Sequence, residues 1–153
     1  MHFPLLICLL PLLTFAEKAC DEAHQEYQTA MEDTSTPLLG LEEPRCDENG
    51  QYADRICRGT DCWCVRPNGE EIPRYHHRRY EVNQKAMTCE CARQAAAYKA
   101  TGLIGLTFRC TELGAFEPVQ CTGSVCYCVD SNGQRDSSAS ALPIWEKHIL
   151  QCS

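Results

Sequence analysis

Apolar residues along the chain fall into two kinds of pattern. Phe3 to Phe15, FPLLICLLPLLTF, is an unbroken run without charge. Beyond it the apolar positions are periodic. Cys20, Ala23, Tyr27, Ala30 and Met31 share a face at helical spacing and predict a helix from Cys20 to about Glu32. Cys91, Ala95 and Tyr98 repeat the pattern and predict a second helix, from Cys91 to about Ala100. Each helix is followed by a loop that is apolar where a solvated loop would be polar: Pro37-Leu38-Leu39-Gly40-Leu41 and Gly102-Leu103-Ile104-Gly105-Leu106. Gly50-Gln51-Tyr52 and Gly114-Ala115-Phe116 then each predict the start of a short strand. Asn68-Gly69 and Asn132-Gly133, each after Cys-x-Cys-Val, predict type I′ hairpin turns with both central residues at positive φ. The expected fold is a small α+β arrangement, a helix beside a short antiparallel sheet, made twice.

The cysteines explain the doubling. Twelve of them stand at 20, 46, 57, 62, 64, 89 and then 91, 110, 121, 126, 128, 152. The residues between neighbours number 25, 10, 4, 1, 24 in the first six and 18, 10, 4, 1, 23 in the second. At an offset of 64, Gly50 matches Gly114, Tyr52 matches Phe116, Val65 matches Val129 and Asn68-Gly69 matches Asn132-Gly133. Such self-similarity identifies two tandem modules, with only Glu90 between Cys89 and Cys91. So short a link predicts a fixed or nearly fixed relative orientation. Six cysteines per module allow fifteen pairings, and spacing alone does not choose among them.

The leading apolar run sets the expected compartment. Its thirteen residues are too few to cross a bilayer about 30 Å thick as a helix. They suit a secretory signal over residues 1–16, cut after Ala16, with Thr14 and Ala16 as the small residues at the cleavage site. Cys8 would leave with it. The 13 cysteines of the whole sequence then become 12, an even number that reads as a full disulfide set in an oxidising compartment. The expected division is 1–16 signal, 17–89 first module and 90–153 second module, with no membrane anchor.

Charge and composition narrow the function. Fourteen Lys and Arg against 21 Asp and Glu leave a net charge of −7, which disfavours general affinity for nucleic acid or anionic lipid. No Ser/His/Asp arrangement, phosphate loop or metal-ligand His/Glu spacing is present, so an enzyme is not expected. His76-His77 lacks further ligands, and neither a metal nor another cofactor is expected. Arg74-Tyr75-His76-His77-Arg78-Arg79-Tyr80 is a basic patch on an acidic chain. It reads as a solvated loop or, through Arg74, Arg78 and Arg79, as a polyanion contact.

The motif Pro44-Arg45-Cys46-Asp47-Glu48-Asn49-Gly50-Gln51-Tyr52, then Cys57, then Cys62-Trp63-Cys64-Val65, then Asn68-Gly69 closely resembles the thyroglobulin type-1 domain. So does the second module, through Cys110, Gly114, Phe116, Gln120-Cys121, Cys126-Tyr127-Cys128-Val129 and Asn132-Gly133. The resemblance spans Cys20 to Cys152. Departures include Ile56 where Gln is usual, Tyr127 where Trp is usual, and a Ser/Ala run from Arg135 to Ala141. Sequential pairing in that family implies Cys20–Cys46, Cys57–Cys62, Cys64–Cys89, Cys91–Cys110, Cys121–Cys126 and Cys128–Cys152.

One branch of the family, the thyropins, inhibits papain-like cysteine proteases, and others are non-inhibitory extracellular binding modules. A chain of two modules alone is similar to inhibitors and to two-repeat spider-venom members. The resemblance therefore implies a secreted inhibitor of a papain-like, cathepsin L-type protease that wedges loops into the active-site cleft. Its inhibitory residues would be Leu38, Leu39, Gly40, Arg58, Gly59, Thr60, Leu103, Ile104, Gly105, Gly123 and Ser124. A third loop is expected near Glu71 to Arg74 and Gln134 to Ser137. The competing reading has Leu38, Leu39, Leu103 and Ile104 capping the local core.

Overall fold

The computed structural model describes residues 19–33, 43–84 and 87–152. The expected signal segment 1–16 and the loop residues Leu38, Leu39 and Gly40 lie outside them. The first half of the chain comprises helix α1 (Ala19–Asp33), strands β1 (Arg55–Arg58), β2 (Asp61–Val65) and β3 (Glu71–Arg78), and the short helix α2 (Arg79–Gln84). The second comprises helix α3 (Glu90–Ala100), strands β4 (Val119–Thr122), β5 (Val125–Cys128) and β6 (Leu142–Pro143), and a 3-10 helix over Ile144–Ile149. Each half holds a three-stranded antiparallel sheet with the middle strand second in sequence, β1-β2-β3 and β4-β5-β6. The protein is thus a small disulfide-rich α+β fold.

The chain pairs Cys20–Cys46, Cys57–Cys62, Cys64–Cys89, Cys91–Cys110, Cys121–Cys126 and Cys128–Cys152. In each half the second bridge joins directly opposed residues of the first hairpin, Cys57 with Cys62 and Cys121 with Cys126. The first bridge ties the leading helix to the segment ahead of the sheet, at Cys46 or Cys110, and the third ties the sheet's middle strand, at Cys64 or Cys128, to Cys89 before the next module or to Cys152. Modules with so little apolar surface are held by such cross-links, each worth about 2–5 kcal/mol.

Several local expectations change. The strands begin later, at Arg55 and Val119. Tyr52 and Phe116 make only single bridges, to Cys46 and Cys110. Turns at Asp47–Gly50 and Thr111–Gly114 bend the chain immediately before them. The Asn-Gly turns are not type I′. Gly69 and Gly133 have φ of 83°, whereas Asn68 and Asn132 do not have positive φ. Gly69 N–H donates to Arg66 O at 2.9 Å and Arg66 N–H donates to Glu70 O at 2.8 Å, a wider turn with one left-handed residue. Glycine is required there twice over. A Cβ on Gly69 would meet the Tyr52 ring at 2.7 Å, and one on Gly133 the Phe116 ring at 2.6 Å. The repeated aromatic and the repeated Asn-Gly are therefore one packing unit.

Helix α3 buries two faces. Cys91 packs with Phe116 and Val129 in the second half, where Tyr98 also meets Phe108 at 5.8 Å between ring centres. Ala92 and Ala96 turn the other way. They join Cys62, Cys64, Ile72, Val82, Met87 and Cys89 in the core of the first half, with Leu113 packed against it. Small side chains allow this close approach. Arg66 Nη1 donates to Ala96 O at 3.3 Å, Arg93 Nη1 donates to Tyr52 O at 3.3 Å, and His77 Nε2 lies 2.8 Å from Glu112 O across the same junction. The core of the first half thus extends onto α3 and Leu113 of the second, beside a separate small cluster around Cys91, Phe116 and Val129, and the halves are not beads on a string. By contrast, Met31, expected on the buried face of α1, is 46% exposed.

Candidate functional site

The second half gathers exposed apolar residues at one end. Cys91–Cys110 closes the loop after α3, and Leu106 pairs with Thr122 as an isolated bridge. Leu106 N–H also donates to Tyr98 Oη at 3.2 Å, and Leu103 N–H donates to Thr101 Oγ1 at 3.2 Å. Thr122 in turn opposes Val125 across the Gly123-Ser124 turn, and Val125 opposes Pro143. Ile144 N–H donates to Ser124 O at 2.8 Å. Four chain segments thus lie side by side in the order Leu106, Thr122, Val125, Pro143. Opposed residues of an antiparallel ladder point to one face. Around that row Ile104 is 94% exposed, Trp145 69% and Leu103 65%, with Leu106, Val125 and Ile144 also on the surface. These side chains do not cap the core, so the competing reading of Leu103 and Ile104 fails on their exposure.

The matching end of the first half has the same backbone and different chemistry. Arg58 opposes Asp61 across the Gly59-Thr60 turn, and Asp61 opposes Arg78. Arg79 N–H donates to Thr60 O at 2.8 Å, as Ile144 does to Ser124. Asp61 lies 3.4 Å from Arg78 Nη1 and 3.5 Å from His76 Nε2. Where the second half offers Thr122, Val125, Pro143 and Ile144, the first offers Arg58, Asp61, Arg78 and Arg79.

Two expected positions are corrected. Glu71 to Arg74 is the beginning of β3, not a loop, and Glu71 pairs with Val65 at the Asn68-Gly69 end of the sheet. Gln134 to Ser137 lies beside the Asn132-Gly133 turn, where Arg135 bridges to Val129. A returning strand must run its whole length before it reaches the Gly59 or Gly123 turn. The third segment at that edge is therefore Arg78 to Tyr80 in the first half and Pro143 to Trp145 in the second. The basic run 74–80 is likewise strand and helix rather than solvated loop.

Residues 20–89 and 84–143 match the model of the thyroglobulin type-1 repeat, which together cover most of the chain. The chain belongs to the thyroglobulin type-1 family. Among its relatives, human thyroglobulin is 36% identical over 60% of this chain but only 3% of its own length. Equistatin of Actinia equina is 32% identical over 75% of this chain and 53% of its own. The chain therefore spans a small fraction of thyroglobulin and about half of equistatin. U20-hexatoxin-Hi1a of Hadronyche infensa is 29% identical over 90% of this chain and 93% of its own length.

Within this thyroglobulin type-1 frame the described cysteines are all disulfide-bonded, and none offers a thiolate. Among the described residues no group of three His, Cys, Asp or Glu is placed to hold a metal, and no helix is long and apolar enough to cross a membrane. The perturbed acids lie away from the apolar edge. Burial pushes the Asp54 carboxyl above its usual range against the pull of Arg93 and Arg55. The Ser138 hydroxyl and backbone hold Asp136 below it. The edge offers shape and apolar contact, not acid–base chemistry. Trp145 and Ile144 were not legible from the repeat because their segment between Cys128 and Cys152 has no apolar counterpart at Arg78-Arg79-Tyr80 of the first module. The apolar string Leu142-Pro143-Ile144-Trp145 just before the last cysteine was the available signal.

Proposed function

We propose that the protein is a secreted, non-covalent inhibitor of papain-like cysteine proteases of the cathepsin L type. Its domains would divide as 1–16, 17–89 and 90–153, and its second module would supply the wedge. One observation carries this reading: the exposed row of apolar side chains on Leu103-Ile104, Val125 and Ile144-Trp145, held by two disulfides and a ladder. A contiguous exposed apolar surface marks a contact site. Loops ordered before binding lose little freedom when they enter a cleft, so more of the contact energy appears as affinity. Gly105, Gly123 and Ser124 keep the backbone of the edge slender. Leu38, Leu39 and Gly40 keep the role implied by the resemblance, whereas Arg58, Gly59 and Thr60, polar where the second module is apolar, are left out of the wedge.

Titration of the oxidised protein with papain and a cathepsin L-type enzyme tests the reading. Tight inhibition with one enzyme bound per chain is expected. The double variant Leu103→Asp/Ile104→Asp should lose about 30-fold or more, since each carboxylate would meet an apolar pocket at a cost of about 1–3 kcal/mol. Absence of inhibition by oxidised wild type would overturn the inhibitor assignment. Unchanged inhibition by the variant would overturn the edge. The near full-length match to a protein named as a hexatoxin favours a second reading, a venom component that uses the same edge on another extracellular target.

A further inference from the structure

The first half carries a feature that protease inhibition does not use. A hollow of about 290 Å³ opens between the loop after Pro44 and the α2 end of the module. Arg45, Arg55, Arg58 and Arg79 line it, with Tyr52 and Val82. Four of the chain's ten arginines thus converge on one cavity in a protein of net charge −7. Glu43 is the acidic group in its wall, and its carboxylate accepts from or pairs with His24 Nε2 at 2.8 Å. The nearby acids Asp61 and Glu81 are engaged by Arg78, His76 and His77. Among the described residues no carboxylate forms an ion pair with Arg45 or Arg58. Arg55 Nη1 donates to the Met87 carbonyl at 3.5 Å, and its charge also acts on the neighbouring Asp54 carboxylate.

A second, shallower hollow adjoins the first. Gly59, Thr60, Arg78, Arg79 and Tyr80 line it, so Arg79 belongs to both. The arginines therefore form a track, from Arg45 and Arg55 through Arg58 and Arg79 to Arg78. Arg74 lines neither hollow. Tyr52 stands in the first and Tyr80, 64% exposed, in the second.

We propose that this track binds a sulfated polysaccharide chain. Guanidinium groups take tetrahedral oxyanions through paired N–H donors, and do so better than ammonium groups. An isolated anion needs one pocket, whereas a cationic hollow that shares Arg79 with a second, largely apolar hollow suits a chain in which sulfates alternate with sugar faces. The tyrosine faces suit the apolar faces of sugar rings between the sulfates. Six disulfides place the protein's chemistry in an oxidising setting, where sulfated glycans rather than nucleic acids are the polyanions it would meet.

Affinity of the full oxidised chain for heparin, measured from low to high salt, tests this. Retention at low salt that falls linearly on a log–log plot is expected. Arg58→Gln/Arg79→Gln should reduce the slope by about 2 and weaken binding about tenfold or more at physiological salt. Arg109→Gln/Arg135→Gln, in the second half, should change affinity less than twofold. Free-thiol counts and circular dichroism report folding of each variant. Should the first pair misfold, titration of the wild type with a heparin hexasaccharide should shift the arginine side-chain resonances of the track and leave Arg109 and Arg135 in place. No retention, equal loss in both double variants, equal retention by desulfated heparin, or tighter binding to a single-stranded oligonucleotide would each overturn the proposal.

Discussion

Gly114→Ala is the sharpest test of how the two modules are joined. Gly114 has a φ of 78°, which costs an L-residue about 1–2 kcal/mol. A Cβ there would also lie 2.9 Å from Cys64 Sγ, 3.0 Å from Cys89 Cα and 3.2 Å from Ala92 Cβ. None of these is the free end of a flexible side chain. Cys64 and Cys89 are bonded to each other, and Ala92 is buried in α3. The neighbours cannot give way singly, so overpacking adds about 1–3 kcal/mol. The sum is about 2–5 kcal/mol, against about 1–2 for Gly59→Ala and Gly123→Ala, whose φ values are 54° and 58° and whose new Cβ would meet nothing within 4 Å. Urea unfolding of the oxidised proteins, followed by tryptophan fluorescence and far-ultraviolet dichroism, measures the three differences. Because the junction is one core, Gly114→Ala should lower the midpoint of a single transition seen by both probes. Equal losses in all three variants, or a transition that splits into two, would refute the shared-core account.

The remaining expectations are local. Gln120 is 5% exposed; its Nε2 donates to Arg109 O at 2.7 Å and Glu117 O at 2.9 Å, and its Oε1 accepts from Arg109 N–H at 3.1 Å. Gln120→Ile, which installs the residue found at position 56, should therefore cost about 2–4 kcal/mol in urea unfolding through orphaned backbone groups. Asp54, raised chiefly by burial, is more readily protonated folded than unfolded. Its contribution is favourable below the unfolded value of 3.8 and is lost as pH rises through the raised folded value. Asp54→Asn should accordingly gain stability relative to wild type as pH rises from below 3.8 through the raised folded value, and a difference independent of pH would contradict the burial account. Loss of inhibition in Leu103→Asp/Ile104→Asp and loss of heparin retention in Arg58→Gln/Arg79→Gln test separate faces of the molecule.

Much of this protein was legible in one dimension. Equal inner cysteine spacings define two modules whatever the outer segments do, because a hairpin with four residues between its cysteines and a Cys-x-Cys strand are local geometry. Helical period placed α1 and α3 to within a residue or two, since side chains three and four apart share a face in any helix. The apolar loop Leu103-Ile104 stood out because no solvated loop needs it. The tertiary structure decided the rest. Which face of α3 packs where depends on Ala92 and Ala96, which lie off the Cys91, Ala95 and Tyr98 stripe and are small enough to let the first module's core close against the helix. The Asn-Gly turns took their wider form because Tyr52 and Phe116, sixteen or seventeen residues earlier in the chain, lie over the glycines. The edge segments were misplaced along the sequence because β3 had to traverse the sheet before Arg78 could reach Thr60. The same backbone at Arg58 and Thr122 became cationic in one module and apolar in the other. Repetition in sequence determines a repeated scaffold through local covalent geometry, while what each copy can bind depends on which distant side chains that scaffold brings together.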